Sequence, residues 1–241
     1  MRMGACSDMG RVRKINEDSY FSYQNENLVG GMVADGMGGY KAGEVASRMT
    51  TMIVKDHIIR KFNPDMDYVE LGEMIRRAFI EANSEIYEYS RHHEEAAGMG
   101  TTASMAFVYR NKLIVVHVGD SRVYTISEDS INQVTTDHSF VQELLRRGRI
   151  TSDDAKNHPQ KNLITRAIGT EPSIKVDVSI RDYNGEVVFI SSDGLTNLVS
   201  DAQIMSIINE NEDLQEGVDA LVLLANKKGG NDNITCLAFD I

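Results

Sequence analysis

Cysteine is almost absent from this chain: Cys6 and Cys236 are the two among 241 residues. Two are too few for a disulfide scaffold or a zinc ribbon. They read as reduced thiols at the two ends of one sheet, with a single bridge left open. No run approaches the roughly 18 apolar residues of a membrane span, and the opening Met1-Arg-Met-Gly-Ala-Cys-Ser-Asp8 has no apolar core of a signal peptide. A cytoplasmic protein with no membrane partner is therefore expected. Positive charge is in deficit, with 25 Lys and Arg against 36 Asp and Glu and a net charge of −11. That balance argues against a polyanion-binding surface, so nucleic acid is not an expected partner. Long linkers, internal repeats and low-complexity stretches are missing too. With 41% hydrophobic residues, 1–241 is expected to fold as one domain around a sizeable core.

What is present is periodic. Alternation over 19–23 and an apolar run over 28–34, parted by Gln24-Asn-Glu-Asn27, predict a hairpin. Apolar residues recur every three to four positions from Gly43 to about Phe62 and from Tyr68 to about Tyr89, predicting two long helices punctuated by Asn63-Pro64. Strands follow over 101–109, 113–118, 122–127 and 131–135, an antiparallel meander rather than a βαβ alternation. The stretch 139–169 reads as a helical insertion, with one helix stopped by Gly148 and another starting at Thr151-Ser-Asp-Asp154. Strands near 174–180 and 187–192 precede a helix whose Ser200-Asp-Ala-Gln203 has capping-box spacing. A last helix, from Leu214 to Ala225, ends at Lys227-Lys-Gly-Gly230 before the final strand. Strands grouped together and helices in two pairs predict an α+β fold, with helix pairs covering the outer faces of two packed antiparallel sheets.

Three aspartates stand where apolar runs stop: Asp35, Asp120 and Asp193. A fourth, Asp232, stands just before another run. If these strands share one core, the carboxylates meet at one rim, where they repel and are costly to desolvate unless a cation compensates them. Asp-Gly alone is a turn signal. Asp35-Gly-Met-Gly-Gly39, however, holds more glycine than a hairpin needs, and glycine lets a backbone carbonyl, such as that of Gly36, approach a ligand closely. Oxygen donors with no Cys/His cluster favour Mg²⁺ or Mn²⁺ over zinc. In the polar segment 7–19, Arg13 offers a planar guanidinium suited to phosphate beside Glu17 and Asp18; a solvated loop is the plainer reading of the same composition.

The combination Asp8-x-Gly10-x-x-Arg13-x-x-Asn16-Glu17-Asp18-Ser19, Asp35-Gly36-Met37-Gly38-Gly39, Gly100-Thr101-Thr102, Val118-Gly119-Asp120-Ser121-Arg122, Ser192-Asp193-Gly194-Leu195 and Gly230-Asn231-Asp232-Asn233 resembles the metal-dependent protein phosphatases of the PPM/PP2C type, in their short bacterial form. The resemblance implies a four-layer α-β-β-α sandwich with a helical flap at 139–169 and two Mn²⁺ or Mg²⁺ ions in a cleft at one end of the sheets. It further implies a serine/threonine phosphatase that acts on phosphorylated proteins, a bacterial kinase and its substrates among them, by a metal-activated water without a covalent intermediate. Position by position, Asp35 matches the carboxylate bridging both ions, Gly36 a carbonyl ligand, and Asp193 and Asp232 the ligands of the other ion. Glu17 and Asp18 match residues orienting water on the ions, Asp120 one that with Asp193 holds a weaker third ion, and Arg13 the phosphate-binding arginine. Met37 departs from the His of many eukaryotic relatives and has no proton to donate. Water near Asp120 and the third ion is the expected replacement.

A thiolate mechanism with Cys-x₅-Arg spacing fails, because Val12 stands six residues after Cys6. Two other classes stay in view: an inactive relative that only binds phosphoprotein, and an ATP-binding module loosely mimicked by Asn16 and Asp35-Gly-Met-Gly-Gly39. His117 reads as a core or rim histidine, His138 and His158 as surface residues, and Arg146-Arg147-Gly-Arg149 as a solvated helix end.

Overall fold

The computed structural model describes residues 1–38, 42–156 and 158–241, with only the backbone of Ser152 and Lys156. Gly39, the end of the glycine-rich run, lies outside the described residues. In chain order the strands are β1 (Arg2–Asp8), β2 (Asp18–Gln24), β3 (Val29–Met37), β4 (Gly100–Thr101), β5 (Ala103–Tyr109), β6 (Lys112–Val118), β7 (Arg122–Ile126), β8 (Ile131–Gln133), β9 (Asp177–Asp182), β10 (Val187–Ser191) and β11 (Ile234–Asp240). The helices are α1 (Ala42–Lys61), α2 (Tyr68–His92), α3 (Phe140–Arg146), α4 (Ser152–Lys156), α5 (Asp193–Thr196), α6 (Asp201–Glu210) and α7 (Leu214–Lys227).

The strands sort into two antiparallel sheets. One runs β1-β11-β10-β7-β8; the other runs β2-β3-β5-β6-β9, with β4 beside β3. Three apolar layers separate four layers of structure. Met32, Phe79, Phe107 and Val116 pack between the second sheet and α1 and α2. Val33, Val115, Ile190 and Phe239 fill the space between the sheets. Phe189, Ile204, Val218 and Leu221 join the first sheet to the C-terminal helices. Alternate residues of β3, β5 and β11 serve opposite layers, so these strands are buried along nearly their whole length and read as apolar runs instead of alternating. The expected α-β-β-α sandwich is the fold.

Helix α2 starts at Asp67, whose carboxylate accepts from the Val69 and Glu70 amides while Glu70 reaches back to Asp67; this satisfies donors that a helix start leaves open. At α6, Gln203 Oε1 accepts from the Ser200 amide at 3.3 Å, as the spacing predicted.

The thiols are a correction. Cys6 and Cys236 are direct register partners on the neighbouring strands β1 and β11, not opposite ends of a sheet, and both are free. Strand β1 is the sheet edge, and its Ala5 amide and carbonyl, which face away from β11, bond the Gln215 side chain of α7, each at 3.0 Å.

Candidate active site

The aspartates converge at one end of the sandwich. Asp18 and Asp35 are direct register partners across β2 and β3, and opposed residues of an antiparallel pair share one face. Asp120 lies two residues beyond β6, Asp193 opens α5 two residues beyond β10, and Asp232 lies two residues ahead of β11. Asp18 and Asp35 come from one sheet, Asp193 and Asp232 flank strands of the other, and Asp120 stands in the crossover from β6 to β7, which belong to different sheets, so the site closes across the gap between them. Neither Asp-Gly pair is a turn: Asp35-Gly36 is inside β3 and Asp193-Gly194 begins a helix.

Close approach explains the glycine at 36. A Cβ there would lie 2.2 Å from the Gly43 carbonyl oxygen and 2.5 Å from that of Glu17, so a side chain would force β3 away from α1 and from the Glu17 loop. The Gly36 amide donates to Glu17 O at 3.1 Å. The Gly100-Thr101-Thr102 motif holds the Asp35 backbone: Thr102 Oγ1 accepts from the Asp35 amide at 2.9 Å, and the Thr101 hydroxyl donates to the Asp35 carbonyl at 2.8 Å.

The electrostatics are those of crowded acids. Burial, with Asp18, Asp193, Asp120 and Asp232 adding repulsion, lifts Asp35 well above the usual carboxylate range. Burial pushes Asp18 up to about 7, against the nearby Thr235 and Ser192 hydroxyls, which favour its charge. Burial and then Asp193 push Asp120 up to about 8, and burial raises Asp193 and Glu17. Such a group ionises fully only beside compensating positive charge.

The residues fit hard cations. Asp18 Oδ2 accepts from the Ser192 hydroxyl at 2.8 Å, but among the described residues the buried Oδ1 has no partner, an arrangement that leaves one oxygen for an ion or its water. Among the described residues, no three acidic, His or Cys side chains are drawn round one point as a closed cage. Mg²⁺-type sites need none, since such ions keep several waters and take one or two carboxylates each.

Arg13 Nη2 donates to Asp232 Oδ2 at 2.8 Å, both side chains being substantially exposed. The loop carrying Arg13 and Glu17 hangs on buried Asn233, whose amide nitrogen donates to Met9 O and Ile15 O, each at 2.9 Å, while its oxygen accepts from the Glu17 amide at 2.8 Å. Asn197 Nδ2 donates to Asp193 Oδ2 at 3.0 Å.

The supporting groups Thr102, Ser192, Asn233 and Asn197 carry little sequence signal of their own. The first three lie inside the quoted motifs, but their partners lie up to 224 positions away. Of the histidines, His117 is buried beside Ser104, and burial drives it down to about 3; the core reading holds. His138 is a correction: it is 7% exposed, because its ring is enclosed by His117, Arg166 and Asp177. His158 is half-buried, its ring 5.9 Å from that of Phe140. Arg146, Arg147 and Arg149 are exposed, as a solvated helix end requires.

A cleft of about 720 Å³ is lined by Asp120 and Asp193, by Val141 and Leu145 of α3, and by Leu198 and Val199. A lining that mixes acids, Arg122 and Lys161 with apolar side chains suits a charged group carried on a peptide.

The fold and this site define a class, and the family model for protein phosphatase 2C matches residues 4–234. The chain belongs to that family. It is a protein-serine/threonine phosphatase, hydrolysing phosphoric monoesters, of the bacterial kind. It is 37% identical over 235 residues to the serine/threonine phosphatase stp of Listeria innocua serovar 6a, covering 96% of this chain and 92% of that one. The crystal structure of serine/threonine phosphatase Stp1 from Staphylococcus aureus superposes with a TM-score of 0.93 at 34% identity, covering 99% of this chain and 94% of that one. The catalytic domain of serine/threonine protein phosphatase PstP, solved in complex with two manganese ions, superposes with a TM-score of 0.83 at 34% identity, covering 99% and 97%.

Proposed function

We propose that the chain hydrolyses phosphoserine and phosphothreonine in proteins with two Mn²⁺ or Mg²⁺ ions, and without a covalent intermediate. Asp35 and the Gly36 carbonyl would hold one ion, and Asp35, Asp193 and Asp232 the other, with Asp120 and Asp193 at a third. The observation carrying this reading is the facing pair Asp18 and Asp35, of which Asp18 is buried and its Oδ1 has no partner among the described residues: like charges opposed in a sheet are destabilising, and a cation between them would relieve the repulsion. When bound, the ions supply a water acidic enough to attack phosphorus at neutral pH and neutralise phosphoryl charge. The chain's own groups do the rest. Asp18 and Glu17 orient water. Arg13, released from Asp232, grips two phosphoryl oxygens with its fork. Met37 has no exchangeable proton, so the leaving oxygen takes its proton from water on the Asp120 side. The PstP structure with two manganese ions supports the ion count by analogy.

Residues 1–241 would act as one domain, with 139–169 as a flap beside the cleft. The setting is cytoplasmic signalling opposite a bacterial serine/threonine kinase, which with its substrates supplies the phosphoproteins. The test is hydrolysis of phosphoserine, phosphothreonine and phosphotyrosine peptides in Mn²⁺, Mg²⁺ or excess chelator. Turnover of the first two should require metal, and turnover persisting in chelator overturns the reading. Asp193→Asn should lose most metal-dependent turnover at unchanged Tm; a wild-type rate would remove Asp193 from the site.

A further inference from the structure

Asp120 sits between two residues that are fixed by different means. After it, the Ser121 carbonyl accepts from the Ser104 hydroxyl at 2.7 Å, and the Ser121 and Thr102 hydroxyls are 2.7 Å apart. Before it, Gly119 has φ +110° and is clamped twice by one residue. The His138 amide donates to Gly119 O at 2.7 Å, and the Gly119 amide donates to His138 Nδ1 at 3.0 Å.

The second bond dictates the ring's state. A nitrogen that accepts from an amide carries no proton, so the ring proton is on Nε2. Nε2 lies 3.1 Å from Asp177 Oδ2 and 2.9 Å from Arg166 Nη1; a neutral ring accepts at one nitrogen only, so with Nδ1 taken by the Gly119 amide, Arg166 directs its proton to Asp177 Oδ1 at 3.0 Å and not to Nε2. A carboxylate on the far nitrogen is the usual device for fixing a tautomer. Burial lowers the ring's proton affinity in the same sense.

His138 also forms the base of the insertion. Its carbonyl accepts from the Thr165 amide at 2.8 Å, Ser139 bridges Ile164, and the Phe140 amide donates to Leu163 O at 2.8 Å.

We infer that His138 is the positioning residue of Asp120, holding the Gly119 turn through its unprotonated Nδ1 and joining that turn to both ends of the 139–169 insertion. The inference rests on Asp120 being an ion-holding carboxylate. It assigns a purpose to a buried histidine that touches no reacting group. Moving the base of the insertion would move Asp120, so events at the cleft wall reach the site through this ring.

Two conservative variants separate the ring's two ends. In His138→Asn the introduced amide oxygen stands where Nδ1 stood, keeping the Gly119 bond while losing Asp177. His138→Gln reaches Asp177 but offers Gly119 no acceptor. Amide hydrogen exchange at Gly119 is measured in metal-free protein, and the half-saturating Mn²⁺ concentration is measured in turnover. His138→Asn should stay within about twofold of wild type in both. His138→Gln should lose Gly119 protection and need about tenfold more Mn²⁺, the usual scale for residues supporting a metal ligand, at similar Tm. Equal behaviour of the two variants overturns the inference, as does a His138→Gln protein indistinguishable from wild type. Asp120→Asn keeps the two ideas apart: unchanged Mn²⁺ dependence in that protein refutes Asp120 as an ion carboxylate. A rise there with none in His138→Gln refutes only the role of His138.

Discussion

Arg13 and Asp232 show how one residue serves two states. Their 2.8 Å pair is exposed on both sides, at 47% and 36%, and pairs of that kind contribute little to stability. On the proposed reading the guanidinium would leave readily for a phosphoryl group, and Asp232 for an ion. Arg13→Ala should raise KM for a phosphothreonine peptide about tenfold, a loss on the scale of a charge-assisted hydrogen bond, and leave Tm unchanged. An unmoved KM and kcat would remove Arg13 from phosphate binding. The acids and Arg13 were legible because each stands in a polar or glycine-bearing break beside an apolar run. His138 was not, because it precedes a helix start in a polar stretch, and nothing local reveals that Gly119, nineteen residues earlier, needs its ring nitrogen.

At the scale of elements, the site is a set of strand ends drawn together by a loop. Asn233 is the loop's anchor, since three backbone groups from Met9, Ile15 and Glu17 depend on its one amide side chain. Asn233→Ala would leave one part-buried donor and two part-buried acceptors open, a cost of about 3 kcal/mol. Because the 9–17 loop carries Arg13, KM should rise along with the drop in Tm measured in thermal melts. A drop in Tm with kinetics unchanged would show that the loop keeps its place without the anchor. The long helices were legible from period and the buried strands from their apolar runs, within a few residues at each end. Strand β1 was not named as an element: it pairs with a neighbour on one side only, and just Gly4 of its seven residues is buried, so alternation is weak. The Cys6–Cys236 register was likewise unreadable, because antiparallel partners at opposite ends of a chain leave no spacing to detect.

For the molecule as a whole, the buried acids couple folding to pH. Asp18 and Asp120 keep protons in the native state up to about 7 and about 8, whereas unfolded carboxylates release theirs near pH 4. Between those limits the ion-free native state binds more protons than the unfolded state, so its stability falls as pH rises. His117 and His138, both lowered, act in the opposite sense only below about pH 6.5. The Tm of chelator-treated protein should therefore decline from about pH 6.5 to about pH 9, and saturating Mn²⁺ should raise Tm and flatten the decline. A flat ion-free profile would mean that the carboxylates ionise without help. The layered architecture was legible in advance from the grouping of strands and paired helices; which strand neighbours which was not, since β1 and β11 meet from opposite ends of the chain. The contact between Gln215 and Ala5 bears on company rather than catalysis. An unpaired edge strand is a template on which another chain can add a strand. Here a side-chain amide imitates the missing neighbour, giving one donor and one acceptor at the middle of β1. That border of the sheet is thereby closed to strand addition, whether by a phosphorylated protein or by a second copy of this chain.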